Sequence, residues 1–530
     1  MRASSCRLPS PRRCSLPAAH SLVARLILGL LSLGGCSPDP DLATDAAREG
    51  APYALSSRVL YVDGLHGNDQ QGEGTDTRPF RTLRRAHTAA APGDTVRIRS
   101  ATYHEELGIT KAHTTWIADS GHHPVIDGGY HEGLSGLGAL EQGRLPAPDS
   151  SSVYLPGSAH GAMVRLQAEG VRVEGLIVQN IAGVGIASSG SNTVVRNCTV
   201  DFVYGACLLV SSGSSRPENV LAEGNRLTRC SVKRYDPSRD APGPAGVQTC
   251  LQVVNASQVR VRRNEVAYCH AEGINAGKGS QDVIIEENLV HTNLHVHIYV
   301  CRGERAIVRN NFVYHSGLAE FAEGKLPGGI VIGDERASGY PSWSDHTQVY
   351  NNVVVGMGRN FHVRNNDKAQ AGYDTQLDHS YVGFNTFVNA TEVGVQIDAN
   401  QRGRAHRASL FENNLILQRR GTVAKLEGVA GVTFRSNLWS SPPPAAGRGP
   451  GDQLGDPVLE QPQALITDGP SSSSSADPRN YRLTPASLLA IDRAATGAVA
   501  GGPELPAADR DYFGTPRPRG ARGDLGAHER

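Results

Sequence analysis

The chain has 530 residues, with 52 Lys+Arg against 52 Asp+Glu, so its formal charge is zero and an electrostatic nucleic-acid surface is not expected. An apolar fraction of 39% suffices for a large core, while 60 Gly, 31 Pro and only 5% aromatics point to short strands and many turns and exclude a long helical bundle.

At the start of the chain, Arg2, Arg7, Arg12 and Arg13 precede the apolar run Leu26 to Leu33, the pattern of a secretory signal. The run is too short to span a bilayer. It ends Leu33-Gly34-Gly35-Cys36, which resembles the lipobox of bacterial lipoproteins. That resemblance implies cleavage before Cys36, lipidation of Cys36 and a membrane-anchored, exported protein; Ser37 after the cysteine implies the outer membrane or cell surface. Residues 1–36 are therefore set aside as a lipoprotein signal peptide, and 37–57, without strand or helix period, read as a flexible tether. Six cysteines remain: Cys198, Cys207, Cys230, Cys250, Cys269 and Cys301. None has the C-x-x-C spacing of a zinc or redox site, and an exported location permits disulfides.

The folded part opens with a predicted strand, Val59 to Val62, then a short helix from Pro79 to Ala91 with Phe80, Leu83 and Ala86 on one face. Pro92-Gly93-Asp94 turns the chain into a second strand, Thr95 to Ile98. This opening, with Gly67-Asn68-Asp69, Arg78-Pro79-Phe80-Arg81-Thr82-Leu83 and Pro92-Gly93-Asp94-Thr95-Val96, resembles that of the right-handed parallel β-helix proteins of the pectin-lyase-like group. The resemblance implies that the helix caps the open end of the coil, where an unpaired strand edge and an apolar interior need cover.

Repetition follows. Short apolar strands end on an asparagine at Asn225, Asn264, Asn288, Asn311, Asn352, Asn385, Asn414 and Asn437, at intervals of 39, 24, 23, 41, 33, 29 and 23 residues. The shortest interval reads as one turn of a coil and the longer ones as that turn plus an insertion. Stacked asparagines can bond one another and the neighbouring backbone, satisfying polar groups the coil would otherwise bury bare. Leu176 and Cys198 occupy the same position in earlier turns, so the coil is expected from about Val96 to Trp439. Cys230 and Cys269, each five residues past a ladder asparagine, are expected on adjacent rungs, within disulfide reach or stacked as free thiols. The predicted fold class is all-β: a right-handed parallel β-helix solenoid over 58–440 with an N-terminal capping helix, then a linker and wrap over 441–530. Pro442-Pro443-Pro444 and Ser471 to Ser475 mark the linker. The final segment, with Asp509-Arg510-Asp511-Tyr512-Phe513-Gly514 and Asp524-Leu525-Gly526-Ala527-His528-Glu529, resembles the terminal signature of exported bacterial β-helix proteins and reads as closing the coil.

A second strand per turn aligns on Ile274, Ile298 and Ile330 as inward residues. Alternation sends Asn275, Tyr299 and Val331 outward, with His297 also outward. Lys278, Arg302 and Asp334 follow four residues after each isoleucine, and His362, Arg364, Gln396 and Asp398 continue the stripe. Insertions at 231–247, 333–346, 365–378 and 398–407 flank this strand and are expected to wall a groove. A long groove suits a polysaccharide. On a uronic-acid polymer the natural chemistry is β-elimination: a base removes the C5 proton, positive charge holds the carboxylate and an acid protonates the leaving oxygen. Lys278 beside Arg302 is the candidate base, because a neighbouring cation disfavours the ammonium form. Tyr299 or His297 is the alternative acid or base.

Gly277-Lys278-Gly279-Ser280, the Asn288 rung, Arg302, Gly328-Gly329-Ile330-Val331-Ile332-Gly333 and Val349-Tyr350-Asn351-Asn352 resemble the polysaccharide lyase family of chondroitinase B and alginate lyases. The resemblance implies Lys278 as base, Arg302 as the catalytic arginine and calcium to neutralise the substrate carboxylate. This chain departs from the family in having only Glu272 where paired acidic calcium ligands would stand, and in placing Arg302 in the turn with Tyr299 on the strand. The sequence thus points to a monomeric lyase or epimerase on an acidic polysaccharide, with catalytic Lys278, Arg302, Tyr299 and His297 and substrate-binding Asn275, Asp334, His362, Arg364, Gln396 and Asp398. Two alternatives stand beside it. One is a non-catalytic glycan- or matrix-binding surface protein; the other is a glycoside hydrolase using paired carboxylates among Glu320, Glu323, Asp334 and Glu335, which are also a candidate calcium cluster.

Overall fold

The computed structural model describes residues 57–129, 161–212, 215–232, 249–318, 321, 326–335, 343–365, 374–400, 404–463 and 476–530. The signal peptide, its Cys36 and all but the last residue of the tether lie outside these, as do Ser471 to Ser475. No helix among the described residues is long and apolar enough to cross a membrane.

Strands of two to six residues stack into three parallel sheets, a full coil contributing one strand to each and the end coils fewer. Sheet I has 13 strands, from Val59–Val62 to Val432–Arg435; sheet II has 11, from Leu107–Ile109 to Thr422–Leu426; sheet III has 13, from Thr102–Tyr103 to Gln453–Leu454. The chain is a parallel β-helix. Alternation fills its interior: Ile285, Val290 and Ile298 of one coil lie beneath Val308, Val313 and Ile330 of the next, all shut off from water.

The asparagine ladder is continuous. Each Oδ1 from Asn264 onward accepts the backbone N–H and the Nδ2–H of the preceding ladder asparagine, at 2.9–3.1 Å, through to Asn437. The Cys198 N–H joins it at one end, and Asp452 Oδ1 accepts the Asn437 N–H at the other. The last pairing, Leu438–Trp439 with Gln453–Leu454, carries the coil one short strand past Trp439. The residue just before each ladder position is left-handed, as at Arg263 (φ 56°), Glu287 (56°), Asn310 (55°) and Phe384 (54°). Non-glycine residues adopt that region at a cost, so the corner between sheets I and III is held by the ladder bonds, not by local preference.

The capping helix is shorter than the sequence pattern suggests, spanning Leu83–Ala89. Phe80 is drawn into a bridge with Val62, and the Asp69 carboxylate accepts the Arg81 and Thr82 N–H groups. Thr82 caps the helix through the Arg85 N–H, while Leu83 and Ala86 are buried over the first coil. At the other end, Tyr481, Leu483, Ala490, Leu525 and Ala527 pack on outward residues of sheet III, including Phe312, Tyr314, Val353 and Leu417. Asp511 binds this segment to itself, accepting the Phe513, Thr515 and Glu529 N–H groups.

Cysteine pairing differs from the adjacent-rung expectation for Cys230 and Cys269. The disulfides are Cys207–Cys230 and Cys250–Cys269, with Cα separations of 5.6 and 6.0 Å; Cys198 and Cys301 are free and buried. Cys207 and Cys250 each immediately precede a sheet II strand, and the paired register of Leu208 with Leu251 stacks them. Each bond crosses the corner between sheets III and II and joins successive coils.

Candidate functional site

The outer face of sheet II carries one vertical column. Gln252, Asn275, Tyr299, Val331, His362 and Gln396 are register partners on successive strands, about 4.8 Å apart. The outward placement of Asn275, Tyr299 and Val331 therefore holds, with His362 and Gln396 in line above them.

His297 does not join this face. It lies just before its strand, where alternation no longer governs direction, and is wholly buried. Its Nε2 accepts the Asn293 N–H at 3.3 Å, its Nδ1 lies 3.1 Å from the His295 carbonyl and its ring lies beside His315. Burial, with the His315 charge adding, holds its pKa well below the usual imidazole value. Asp334 is also buried, a correction to its substrate-binding assignment. Its carboxylate accepts the Arg302 N–H and both the N–H and hydroxyl of Ser344, closing the turn.

Lys278 and Arg302 lie in successive turns on one side of the coil, joined through Glu335. The Lys278 ammonium stands 3.6 Å from the Glu335 carboxylate, and Arg302 Nε donates to the Glu335 backbone carbonyl. The neighbour expected beside Lys278 was a cation, and the one found is a carboxylate. The Arg302 guanidinium instead lies 4.3 Å from the centre of the Trp343 ring, which Arg404 also approaches at 4.0 Å.

Around Glu335 the chain gathers groups from three coils. The Tyr299 hydroxyl donates to the Gly333 carbonyl at 2.8 Å and lies 3.1 Å from Glu335 Oε1. Glu272, half-buried before the Ile274–Ala276 strand, accepts from the Thr249 hydroxyl at 2.9 Å and the Asn275 amide at 3.1 Å. Burial, reinforced by the negative charge of Glu335, pushes the Glu272 carboxyl up to about 7. Burial and the same charge push the Cys301 thiol to about 12, so it offers no thiolate nucleophile near neutral pH. Burial and charge thus shift one carboxyl toward its protonated form near a second, with an ammonium and a phenol in contact with the second. Such separation of paired carboxyls suits acid–base chemistry.

Farther along the column, His362 Nε2 lies 2.9 Å from Asp398 Oδ2. Gln396 donates to Asp398 Oδ1 at 2.6 Å and accepts from Arg359 at 2.6 Å, while Arg359 pairs with Glu392. Burial lowers the His362 pKa against the pull of Asp398. Burial works upward on Asp398, but hydrogen bonds from His362 and Gln396 hold it well below the usual range. The half-buried Arg364 is near enough for its charge to act on the His362 imidazole.

Calcium, implied by the lyase resemblance, does not fit these residues. It takes about six to eight oxygens, several from carboxylates. Glu272 is occupied by hydroxyl and amide donors and Glu335 by an ammonium. Among the described residues, the one cluster of three or more potential metal-binding groups is Cys207, Cys230 and Cys250, and these are committed to disulfides. Glu320, Glu323 and much of the expected groove walls, at 233–248, 336–342, 366–373 and 401–403, lie outside the described residues.

Residues 163–354 match the family model described as the right handed beta helix region. The coil is right-handed. A 71-residue stretch is 46% identical to the uncharacterized protein YwoF of Bacillus subtilis (strain 168), covering 13% of this chain and 14% of that protein. Solved structures with similar coordinates include XylC in complex with xylose (12% identity, 89% of this chain and 98% of that one, TM-score 0.47) and pectate lyase Pel9A (14%, 90% and 97%, TM-score 0.45).

Proposed function

We propose that the protein is a carbohydrate-active enzyme that cleaves glycosidic bonds of a polysaccharide lying along the outer face of sheet II. Glu272 is the general acid, protonating the leaving oxygen, and Glu335 is its carboxylate partner, steadied by Lys278 and Tyr299. The observation that carries this reading is the carboxyl pair itself: two acids from coils two rungs apart share one half-buried site, and burial with the Glu335 charge favours the protonated form of Glu272. Along this face the half-buried Gln252, Lys278 and Arg364 are the polar side chains that successive sugars would meet, the column residues Asn275, Tyr299, His362 and Gln396 being buried beneath them.

A second reading, β-elimination or C5 epimerisation on a uronic-acid polymer, is favoured by the guanidinium groups of Arg302 and Arg404 beside Trp343, which suit a substrate carboxylate. Lys278 would then be the base, with Tyr299 the acid. The test is to incubate the protein with neutral and uronate polysaccharides. New reducing ends without an unsaturated chromophore, lost in Glu272→Gln, support hydrolysis. An ultraviolet-absorbing product lost in Lys278→Ala supports the lyase, and binding with no product supports a surface adhesin.

In this proposal the enzyme works as a monomer outside the cytoplasm, held to the membrane by a lipid on Cys36. The two disulfides suit such an oxidising compartment. Labelling of the expressed protein with a fatty-acid precursor, abolished by Cys36→Ala, tests the anchor.

A further inference from the structure

On a different face, where the C-terminal segment crosses sheet III, lies an open cavity of about 660 Å³. That volume falls within the ~300–1,000 Å³ of small-molecule sites. Three guanidinium groups line it, those of Arg482, Arg519 and Arg530; the charge of Arg482 acts on Asp477, and among the described residues none of the three forms a salt bridge. Many arginines of the coil are paired with carboxylates, as in Arg309 with Glu286 and Arg435 with Glu412. Arg482 lies 4.1 Å from the centre of the Phe513 ring, and its Nε is closed off from solvent with no hydrogen-bond partner.

The other lining groups narrow the ligand. His528 accepts the Leu483 N–H on Nδ1 at 2.9 Å, which leaves its proton on Nε2 as a donor. Burial keeps this imidazole neutral, pulling its pKa down to about 4. The Glu529 carboxylate is spent within the protein on Arg517 at 3.2 Å and on the N–H groups of Arg519 and Asp524 at 2.9 and 2.8 Å. Glu460 remains as an acceptor and Thr515 as a hydroxyl. A bare inorganic anion would leave the aromatic wall, the acceptor and most of the volume unused. A sugar ring bearing an oxyanion uses all of them.

We infer that this cavity is a second, non-catalytic carbohydrate site that takes an acidic saccharide, its carboxylate held by Arg482, Arg519 and Arg530 and its hydroxyls by Glu460, Thr515 and His528. The site stands independently of the acid–base reading of Glu272. Such a site would hold an acidic polymer to the protein away from the cleaving face.

The test is calorimetric titration of the full chain with trigalacturonate, with maltotriose as the neutral control and inorganic sulfate as the bare anion. It is run in the Glu272→Gln background, so that turnover at sheet II is silent and the two readings fail separately. Arg519 and Arg530 are exposed, so Arg519→Glu with Arg530→Glu should leave the urea midpoint unchanged. The expected result is trigalacturonate binding that this double substitution weakens at least tenfold, with maltotriose silent. No trigalacturonate binding, binding untouched by the double substitution, or sulfate binding as tight as the sugar would each overturn the assignment.

Discussion

Replacing Asn288 by alanine removes one link from the middle of the ladder. The side chain donates to the Val261 carbonyl at 2.9 Å and to Asn311 Oδ1 at 3.0 Å, and its Oδ1 accepts the Asn264 backbone N–H and Nδ2–H, both at 3.0 Å. Asn311 Oδ1 keeps the Asn288 backbone N–H, and Asn264 Nδ2 keeps the Ala222 carbonyl. The Val261 carbonyl and Asn264 N–H lose these bonds inside a corner closed to water. A buried group left unsatisfied costs about 1–3 kcal/mol, so the pair puts the loss at about 2–6 kcal/mol. An exposed substitution such as Arg84→Ala should stay within about 0.5 kcal/mol. Urea unfolding followed by tryptophan fluorescence reads the difference. Hydrogen exchange locates it, with protection falling first in the coils that hold Asn264 and Asn311. An Asn288→Ala protein as stable as Arg84→Ala would refute the view that the ladder holds the corners.

Three further outcomes are expected. Glu272 rests at about 7 when folded, against an ordinary 4.5. Between those values the folded chain keeps a proton that the unfolded chain has released, so stability falls as pH rises across that window; Glu272→Gln should flatten this slope in thermal midpoints. His297→Ala should cost about 2–4 kcal/mol by stripping partners from the buried Asn293 N–H and His295 carbonyl, whereas a stable variant without turnover would return His297 to the chemistry. Peptide mapping should recover Cys207 linked to Cys230 and Cys250 to Cys269. Reduction of these links, separated by 23 and 19 residues, should cost about 3 kcal/mol each; a Cys230–Cys269 peptide would contradict the pairing.

The coil was legible because its stabilising bonds place asparagine at the same position in eight successive turns, and Asn225 to Asn437 reveal the period whatever the insertions between them. Strict alternation within the Ile274–Ala276 and Ile298–Val300 strands likewise gave the outward positions of Asn275 and Tyr299. Alternation ends where the strand does, which is why His297, one residue outside it, was misplaced and why Asp334 proved to be a turn-closing group. Phe80 looked helical by spacing, but Val62 claims it as a strand neighbour. The carboxyl pair was the hardest to see. Glu272 and Glu335 belong to different coils separated by insertions of unequal length, and only the stacked register brings them together. Glu272 stood out in the sequence only as a lone acid before Lys278, and Glu335 only as one of four nearby acids that could pair with one another, so nothing linked the two. The left-handed corners left only a partial signal: Gly224, Asn310, Asn351 and Asn413 favour that conformation, whereas Arg263, Glu287, Phe384 and Ser436 do not.

The most direct measurement of the central claim needs no substrate. Carbon NMR of side-chain-labelled glutamate, with Glu272 assigned by its loss in Glu272→Gln, follows that carboxyl through a pH titration. The account predicts a midpoint near 7 that moves down toward the ordinary carboxyl range in Glu335→Gln, because burial and the neighbouring charge together hold the proton. A wild-type midpoint already in the ordinary range, or one that Glu335→Gln leaves in place, would contradict it.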